Sequence, residues 1–256
     1  MNQPDLASLL DQLQPLVRQA GQVIMDIYAT DFDVARKGDA SPVTQADQLA
    51  EAVILAGLAR IAPDVPVVAE EAVAAGQVPE IGECFFLVDP LDGTKEFISR
   101  NGEFTVNIAL IEHGRPVLGL VFAPAIDSLY GGAEGLGAWV EDARGRRAIA
   151  CRVVPVEGLT VVASRSHGDE SALDALLAGR LVASRTNAGS SLKLCLVAAG
   201  QADLYPRLGR TMEWDIAAGD AVLRAAGGRV TVVADGSDLR YGKPGFDNPH
   251  FAASGL

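Results

Sequence analysis

The last hundred residues of the chain alternate between segments typical of β-strands and segments typical of α-helices. From about residue 156 the pattern predicts four strands separated by three helices. The strands cover residues 159–164, 181–184, 202–207 and 229–233, and the helices cover residues 170–179, 190–200 and 215–228. Alternation of this kind favours a parallel or mixed sheet that is covered by helices.

The first 155 residues instead predict two helices followed by short strands and hairpins. Apolar residues at helical spacing predict the first helix over residues 6–27, where Pro15 marks a kink or a restart. Thr44 and Asp47 have the spacing of a capping box at the start of the second helix, which ends near Ile61. Strands are expected at residues 65–69 and 85–88, and hairpins at residues 103–124 and 130–150.

The composition is that of a globular chain with a large core, since 49% of its 256 residues are hydrophobic. We expect one compact unit, with an N-terminal α+β part over residues 1–155 and a C-terminal α/β part over residues 156–256.

No window approaches the roughly 18 apolar residues of a membrane span, and the start lacks a signal-peptide pattern. A cytoplasmic location is expected, with peripheral attachment to the inner membrane face left open. Three separated cysteines should be reduced: Cys84, Cys151 and Cys195.

The charge balance narrows the class of partner. The chain has 33 acidic and 21 basic residues, which gives a net charge of −12. Binding to a nucleic-acid polymer is disfavoured, because its affinity comes largely from Lys and Arg contacts with phosphates. A small anionic substrate would need divalent cations to screen the acidic side chains. The sequence leaves open whether the chain is a monomer or a homodimer.

Two carboxylates three residues apart follow a strongly apolar segment in the stretch LVDPLDGT, residues 87–94. The five apolar residues from Cys84 to Val88 suit a strand that is buried on both faces, so Asp89 and Asp92 fall at its carboxyl end. Asp-Pro and Asp-Gly are also common turn-forming pairs, and the octet taken alone fits a plain tight turn equally well.

Other acids also fall at the ends of predicted elements. Glu70 closes the predicted strand that begins at Val65, Asp215 opens the last helix, and Asp47 lies in the capping box. Each has a local explanation as a helix cap or a first-turn acid. Glu70, Asp89, Asp92 and Asp215 together are better explained by Mg²⁺, which prefers carboxylate and carbonyl oxygens, and which often acts as a pair of ions.

The residues around the two aspartates fit the same chemistry. Pro90 removes a competing N–H and leaves the Leu91 carbonyl free to serve as a ligand. Gly93 and Thr94 open a short helical segment, whose backbone N–H groups could cradle a phosphate.

A second group of residues is suited to an anion. Ser190, Ser191 and Lys193 stand at a predicted helix start after a glycine, and Arg207 follows a strand. The alternative is that Ser190 is an ordinary N-cap and Lys193 a solvated side chain. His167, in the sequence SRSH, could line a ribose or base pocket, but a single loop histidine is more often incidental.

The motifs DPLDGT, NGEFTVNIALI, AEE around Glu70 and EWDIAAGDAVLRAAGG resemble the inositol monophosphatase superfamily of Mg²⁺-dependent, lithium-sensitive phosphatases. The resemblance covers essentially the whole chain. The segments DPLDGTKEFI, SRSH, GSSLK, ADLYPR and TMEWD are most similar to the 3′(2′),5′-bisphosphate nucleotidase branch. One departure is Ala69, where members commonly have Ser before the paired glutamates.

The resemblance implies a layered αβαβα fold and two to three Mg²⁺ ions. Glu70, Asp89 and the Leu91 carbonyl would hold one ion, and a third, weaker ion would lie near Glu70. Asp89, Asp92 and Asp215 would hold the second ion. Thr94, paired with Asp47, would orient and help to deprotonate the attacking water.

The resemblance also implies a substrate. The enzyme would remove the 3′-phosphate of adenosine 3′,5′-bisphosphate, while Ser190, Ser191, Lys193 and Arg207 held the phosphate that is not cleaved. Two alternatives stay open. One is a broader phosphatase for inositol monophosphate or sugar phosphates, and the other is a metal-dependent anion-binding protein without activity.

Overall fold

The computed structural model describes residues 5–36, 42–164 and 170–255. In the N-terminal part the elements are α1 (Leu6–Tyr28), β1 (Val34–Arg36), β2 (Pro42–Thr44), α2 (Gln45–Ile61), β3 (Val67–Ala69), α3 (Glu70–Ala74), β4 (Cys84–Asp92), α4 (Thr94–Ile98), β5 (Thr105–Glu112), β6 (Arg115–Ala123), β7 (Ser128–Ala133), β8 (Gly137–Asp142) and β9 (Gly145–Ile149). In the C-terminal part they are β10 (Leu159–Ala163), α5 (Glu170–Leu177), β11 (Val182–Asn187), α6 (Leu192–Ala198), β12 (Leu204–Arg207), α7 (Glu213–Ala225), β13 (Arg229–Val232) and β14 (Phe251–Ser254).

Two large sheets carry most of the strands. A seven-stranded sheet has the order β3-β4-β5-β6-β7-β8-β9, in which only β3 and β4 are parallel. A five-stranded sheet has the order β11-β10-β12-β14-β13, with β10 parallel to both of its neighbours and β14 antiparallel to both of its own. The mixed sheet predicted from the C-terminal alternation is therefore confirmed.

The seven-stranded sheet is covered by helices on both faces. Successive side chains of a strand point to opposite faces. On β4, Phe86 and Val88 pack in one core with residues of α1 and α2, whereas Phe85 and Leu87 pack in another core with residues of α6 and α7. This is why β4 reads as a continuous apolar run and not as an alternating pattern.

The five-stranded sheet lies on the other side of α6 and α7. Its residues Val162, Tyr205 and Val230 share the core that contains those helices. From the opposite face, Val161 and Leu204 form a small cluster with residues of α5. The layers are thus α1 and α2, the seven-stranded sheet, α6 and α7, the five-stranded sheet, and α5, which confirms the expected αβαβα arrangement.

The packing of α7 against the central strands is unusually close. A Cβ atom at Gly119 on β6 would lie 2.2 Å from the Ala218 carbonyl oxygen and 2.8 Å from the Cβ atom of Ala221. Only glycine therefore lets the helix backbone approach this strand. The contact fixes the position of α7, and with it the acid in its first turn.

Several boundaries differ from the sequence predictions. The first helix runs without interruption through Pro15, because the buried stripe of α1 stabilises the turn that lacks one hydrogen bond. β4 continues to Asp92 instead of ending in a turn after Val88, and β14 had no clear signal in the sequence. Helix α6 begins at Leu192, two residues later than predicted, and α7 begins at Glu213, two residues earlier.

None of the helices within the described ranges combines the length and the apolar character that crossing a bilayer requires.

Candidate active site

The pairing of β3 with β4 brings the first two acids of the site together. The strands are parallel, and Ala69 lies opposite Val88. The residue that follows each of these two is an acid: Glu70 at the start of α3 and Asp89 on β4. Two carboxylates therefore stand side by side at the carboxyl ends of adjacent parallel strands, where α/β proteins commonly place ligands.

The end of β4 supplies a third acid through an irregular ladder. Asp89 pairs with Asn107 and Asp92 with Thr105, with a register shift between the two pairs. Pro90 lies inside this shift and has no N–H to donate, while the Leu91 N–H donates to Asp89 Oδ1 at 3.0 Å. Gly93 then takes a φ of 93°, which glycine adopts without strain, and α4 begins.

The fourth acid comes from the first turn of α7. Asp215 is the third residue of this helix, and its Oδ2 accepts from the Met212 N–H at 2.9 Å. This is the reciprocal half of a capping box, so the helix start itself orients the carboxylate. We call Glu70, Asp89, Asp92 and Asp215 the acid wall.

Burial and mutual repulsion both act on the acid wall. Asp89 is only 2% exposed, and its pKa is raised well above the usual value, first by burial and then by repulsion from the other three acids. Burial, followed by repulsion from Asp92 and Glu70, raises the pKa of Asp215 as well. Burial raises the pKa of Asp92 to about 6, against the lowering effect of Lys193 and of the Ser191 N–H. A cation in this region would relieve both penalties.

The donor chemistry of the acid wall fits a hard divalent cation. Together with the neighbouring Leu91 carbonyl, it offers only oxygen donors, which suit Mg²⁺ better than zinc. Among the residues that the structure describes, no three Asp, Glu, His or Cys side chains already form a set that could hold a metal ion. Three of the acids accept from backbone donors: Asp89 from the Leu91 N–H at 3.0 Å, Asp92 from the Ser191 N–H at 2.6 Å, and Asp215 from the Met212 N–H at 2.9 Å.

Asp47 and Thr94 form a hydrogen-bonded pair beside the acid wall. Asp47 is 1% exposed, and its Oδ2 accepts from both the N–H and the hydroxyl of Thr44, each at 2.8 Å. Its Oδ1 accepts from the Thr94 hydroxyl at 3.2 Å. The predicted capping box of α2 is confirmed, and the same carboxylate also fixes the orientation of a hydroxyl that faces the cleft.

The segment of residues 188–193, which we call the anion loop, lies against the acid wall. Besides the Ser191 N–H bond to Asp92, the Ser191 hydroxyl donates to the Asp215 carbonyl. Ser190 has a φ of 45°, a left-handed conformation that costs energy for a residue other than glycine, and its buried hydroxyl has no hydrogen-bond partner within the described chain. The structure puts Ser191, and not Ser190, at the N-cap position of α6.

Two cationic side chains accompany the anion loop. Lys193 is 5% exposed, and its Nζ donates to the carbonyl oxygens of Ser190 at 2.5 Å and Ala188 at 3.3 Å. Burial lowers its pKa to about 8, although Asp92 opposes the shift. Arg207 donates to the Arg210 carbonyl at 3.0 Å, while its buried Nε has no partner in the described part of the chain.

A cleft of about 250 Å³ joins the acid wall to the anion loop. Most of the predicted site residues line it, namely Glu70, Asp92, Gly93, Thr94, Ser190, Ser191, Lys193, Arg207 and Asp215. Asp47, Asp89 and Leu91 are buried and do not line it. Further lining residues were not predicted, including Lys95, Glu96, Ser164, Tyr205 and Thr211. His167, which was considered for a ribose or base pocket, lies outside the described residues.

One residue at the site was missed because its signal is weak. Asn107 is 1% exposed on β5, and its amide nitrogen donates to Asp92 Oδ2 at 3.3 Å and to the Ser191 hydroxyl at 3.1 Å. It therefore joins the acid wall to the anion loop. The signal in the sequence is a single amide inside the apolar run TVNIALI, because a buried polar side chain needs hydrogen-bond partners.

Comparisons with known proteins agree with this architecture. The model of the inositol monophosphatase family matches residues 5–253. The chain is 49% identical over 249 residues to the 3′(2′),5′-bisphosphate nucleotidase CysQ of Escherichia coli (strain K12), covering 96% of this chain and 99% of that protein. It is 51% identical over 224 residues to CysQ of Salmonella typhimurium, covering 87% and 89% of the two chains.

A solved structure is similar over the full length. The crystal structure of CysQ from Bacteroides thetaiotaomicron, described as a bacterial member of the inositol monophosphatase family, superposes with a TM-score of 0.83 at 36% identity. The match covers 98% of each chain. The similarity therefore extends over nearly the whole length of both chains.

Proposed function

The chain belongs to the inositol monophosphatase family, and we propose that it is a metal-dependent 3′(2′),5′-bisphosphate nucleotidase. It removes the 3′-phosphate of adenosine 3′,5′-bisphosphate and releases AMP and phosphate. The observation that carries the proposal is nearly full-length identity of 49% to a curated nucleotidase, together with a cleft that joins the acid wall to the anion loop and to the cationic side chains of Lys193 and Arg207. The proposed substrate is a by-product of sulfate activation, so a cytoplasmic enzyme is expected.

The acid wall is proposed to hold two Mg²⁺ ions. Glu70, Asp89 and the Leu91 carbonyl are the proposed ligands of one ion, and a third, weaker ion would lie near Glu70. Asp89, Asp92 and Asp215 are the proposed ligands of the other. Asp89, Asp92 and Asp215 now accept from backbone N–H groups, and each still has carboxylate lone pairs that could bind an ion. Bound Mg²⁺ would polarise the phosphate and lower the pKa of the attacking water.

Thr94 and Asp47 are proposed to prepare the water for attack. Thr94 lines the cleft, and its hydroxyl is within hydrogen-bond distance of Asp47 Oδ1 at 3.2 Å and of the Leu91 carbonyl oxygen at 3.4 Å. The shorter contact, to Asp47, would orient the hydroxyl so that its lone pairs can accept a hydrogen bond from a water. Asp47 keeps this orientation because its other oxygen is held by Thr44. As in other phosphoryl transfers, most of the catalysis would come from positioning and electrostatics.

The anion loop is proposed to hold the phosphate that is not cleaved. Ser190 presents an unpartnered hydroxyl, and Lys193 and Arg207 supply positive charge at the same side of the cleft. Lys193 uses two of its three protons on the loop carbonyls, which leaves one for an anion. Gly93 and Thr94 would hold the phosphate that is cleaved, and a water held near Asp215 would protonate the leaving 3′-oxygen.

A substrate comparison tests the proposal. We expect rapid phosphate release from adenosine 3′,5′-bisphosphate with Mg²⁺, and none after removal of the metal with a chelator. Release from inositol monophosphate and fructose 1,6-bisphosphate should be much slower. A preference for inositol monophosphate would instead indicate the broader phosphatase, and no release from any substrate would indicate an anion-binding protein. Millimolar Li⁺ should inhibit, increasingly so at saturating substrate.

A further inference from the structure

Glu51 is a buried carboxylate that the proposed mechanism does not use. It lies on α2 and is only 5% exposed. Its Oε2 accepts from the Glu71 N–H and its Oε1 from the Ala72 N–H, both at 2.8 Å. A carboxylate is costly to bury, and two short bonds to backbone donors offset part of that cost.

These two bonds cap α3, the helix that begins with Glu70. The N-cap of α3 is Ala69, which has no side chain that can accept a hydrogen bond. Glu71 and Ala72 are the second and third residues of the helix, whose N–H groups an N-cap Ser or Asp would normally satisfy. Glu51 thus supplies from another helix the cap that residue 69 cannot provide.

The same helix also carries Asp47. Residues 47 and 51 are four apart on α2, so they lie on one face of the helix, one turn from each other. Asp47 holds the Thr94 hydroxyl, and Glu51 holds the start of α3. Helix α2 therefore positions both the Thr94 hydroxyl and Glu70, the first acid of the acid wall.

We propose that Glu51 is a positioning residue for the metal site: it caps α3 and thereby holds Glu70 where an ion can use it. The inference deepens the proposed function, on which it rests. It predicts that loss of the cap weakens metal binding without removing a ligand.

The test is direct measurement of metal binding to the whole protein without substrate. Mn²⁺ binding can be followed by electron paramagnetic resonance, and Mg²⁺ binding by calorimetry. Glu51→Gln keeps the size of the side chain but presents an NH₂ group to one of the two N–H donors. Residues that orient metal ligands typically account for roughly 10–100-fold in affinity. We expect metal affinity to fall at least about 10-fold, while kcat at saturating Mg²⁺ changes much less.

Two further variants separate positioning from general damage. Ala69→Ser supplies a local cap, so adding it to Glu51→Gln should restore part of the metal affinity. Asp203→Asn is the matched control, because Asp203 is also a buried acid that accepts from a backbone N–H. Its donors are the Arg152 side chain, in the segment before β10, and the Thr160 N–H on β10. This control variant should lower the thermal stability and leave metal affinity unchanged.

Wild-type metal affinity in Glu51→Gln would overturn the proposal, and so would an equal loss of affinity in Asp203→Asn. If Glu51→Gln does not fold, Glu51→Asp keeps the charge on a shorter side chain and must bind metal more weakly than the wild type. The metal-binding measurement uses no substrate, so it tests the role of Glu51 separately from the nucleotidase function. A wild-type protein that binds metal but does not hydrolyse adenosine 3′,5′-bisphosphate would refute only the nucleotidase function.

Discussion

The acid wall and the anion loop lie against each other and border one cleft, but they are built by different means. The acid wall uses the ends of rigid elements, and its four carboxylates repel one another in a buried setting. The anion loop is a short segment with one strained residue, and it is held by hydrogen bonds to the acid wall. The difference suggests a division of labour, in which the acid wall performs chemistry common to all phosphate esters and the anion loop selects the bisphosphate.

The largest effect should come from Asp89→Asn, which removes the carboxylate proposed to touch both ions. Because even indirect support of a metal ligand is worth roughly 10–100-fold, loss of a shared ligand should abolish turnover of every substrate. Steady-state kinetics with adenosine 3′,5′-bisphosphate and adenosine 3′-monophosphate would measure it. Activity within about tenfold of the wild type, the lower end of that range, would refute the two-ion site.

Thr94→Val should have the next largest effect, again on all substrates. Valine has nearly the shape of threonine but lacks the hydroxyl that Asp47 orients. A positioned acid–base group is worth roughly 100-fold or more, so kcat should fall by about that factor with little change in KM. Thr94→Ser keeps the hydroxyl and is the control, with activity near that of the wild type. An equal loss in both variants would mean that residue 94 matters for packing only.

The sequence was sufficient to predict most of the acid wall, because its members follow recognisable elements. Asp89 and Asp92 end an apolar strand, and Glu70 directly follows the strand before it. The register that places Glu70 beside Asp89 depends on strand pairing, which is a tertiary property. The extension of β4 through Pro90 could not be predicted for the same reason, because the register shift between Asp89 and Asp92 is defined only by the pairing of β4 with β5.

The anion loop was harder to predict in detail. Ser190 was expected as an N-cap candidate, but the loop's contact with Asp92 across 99 residues moves the cap to Ser191. Lys193 was expected as a solvent-facing or phosphate-facing lysine, and its burial against loop carbonyls has no local signature. Asn107 and Glu51 were missed because each is a single polar residue in an otherwise ordinary strand or helix.

Lys193→Met should sharpen the comparison between the two regions, because it removes the charge and keeps an unbranched apolar stem. Loss of one charge-assisted hydrogen bond of about 1.5–3 kcal/mol corresponds to roughly 10- to 150-fold in kcat/KM for adenosine 3′,5′-bisphosphate. Adenosine 3′-monophosphate, which lacks the second phosphate, should be affected little. An equal loss on both substrates would mean that Lys193 instead supports the loop carbonyls and Asp92.

Ser190→Ala should have the smallest effect. The change removes the unpartnered hydroxyl but keeps the backbone conformation and the carbonyl that Lys193 binds. One neutral hydrogen bond of about 0.5–1.5 kcal/mol corresponds to a rise of roughly 2- to 13-fold in KM for the bisphosphate. The comparison with adenosine 3′-monophosphate again serves as the control. An unchanged KM would remove Ser190 from the proposed phosphate site.

The division of labour is tested most directly by the identity of the product. Wild-type enzyme, Mg²⁺ and adenosine 3′,5′-bisphosphate can be followed by phosphorus NMR, which distinguishes the two monophosphates. If the anion loop holds the 5′-phosphate while the 3′-phosphate lies at the acid wall, adenosine 5′-monophosphate should be the only nucleotide formed. Accumulation of adenosine 3′-monophosphate, or of a mixture of the two, would contradict the assignment of the two regions.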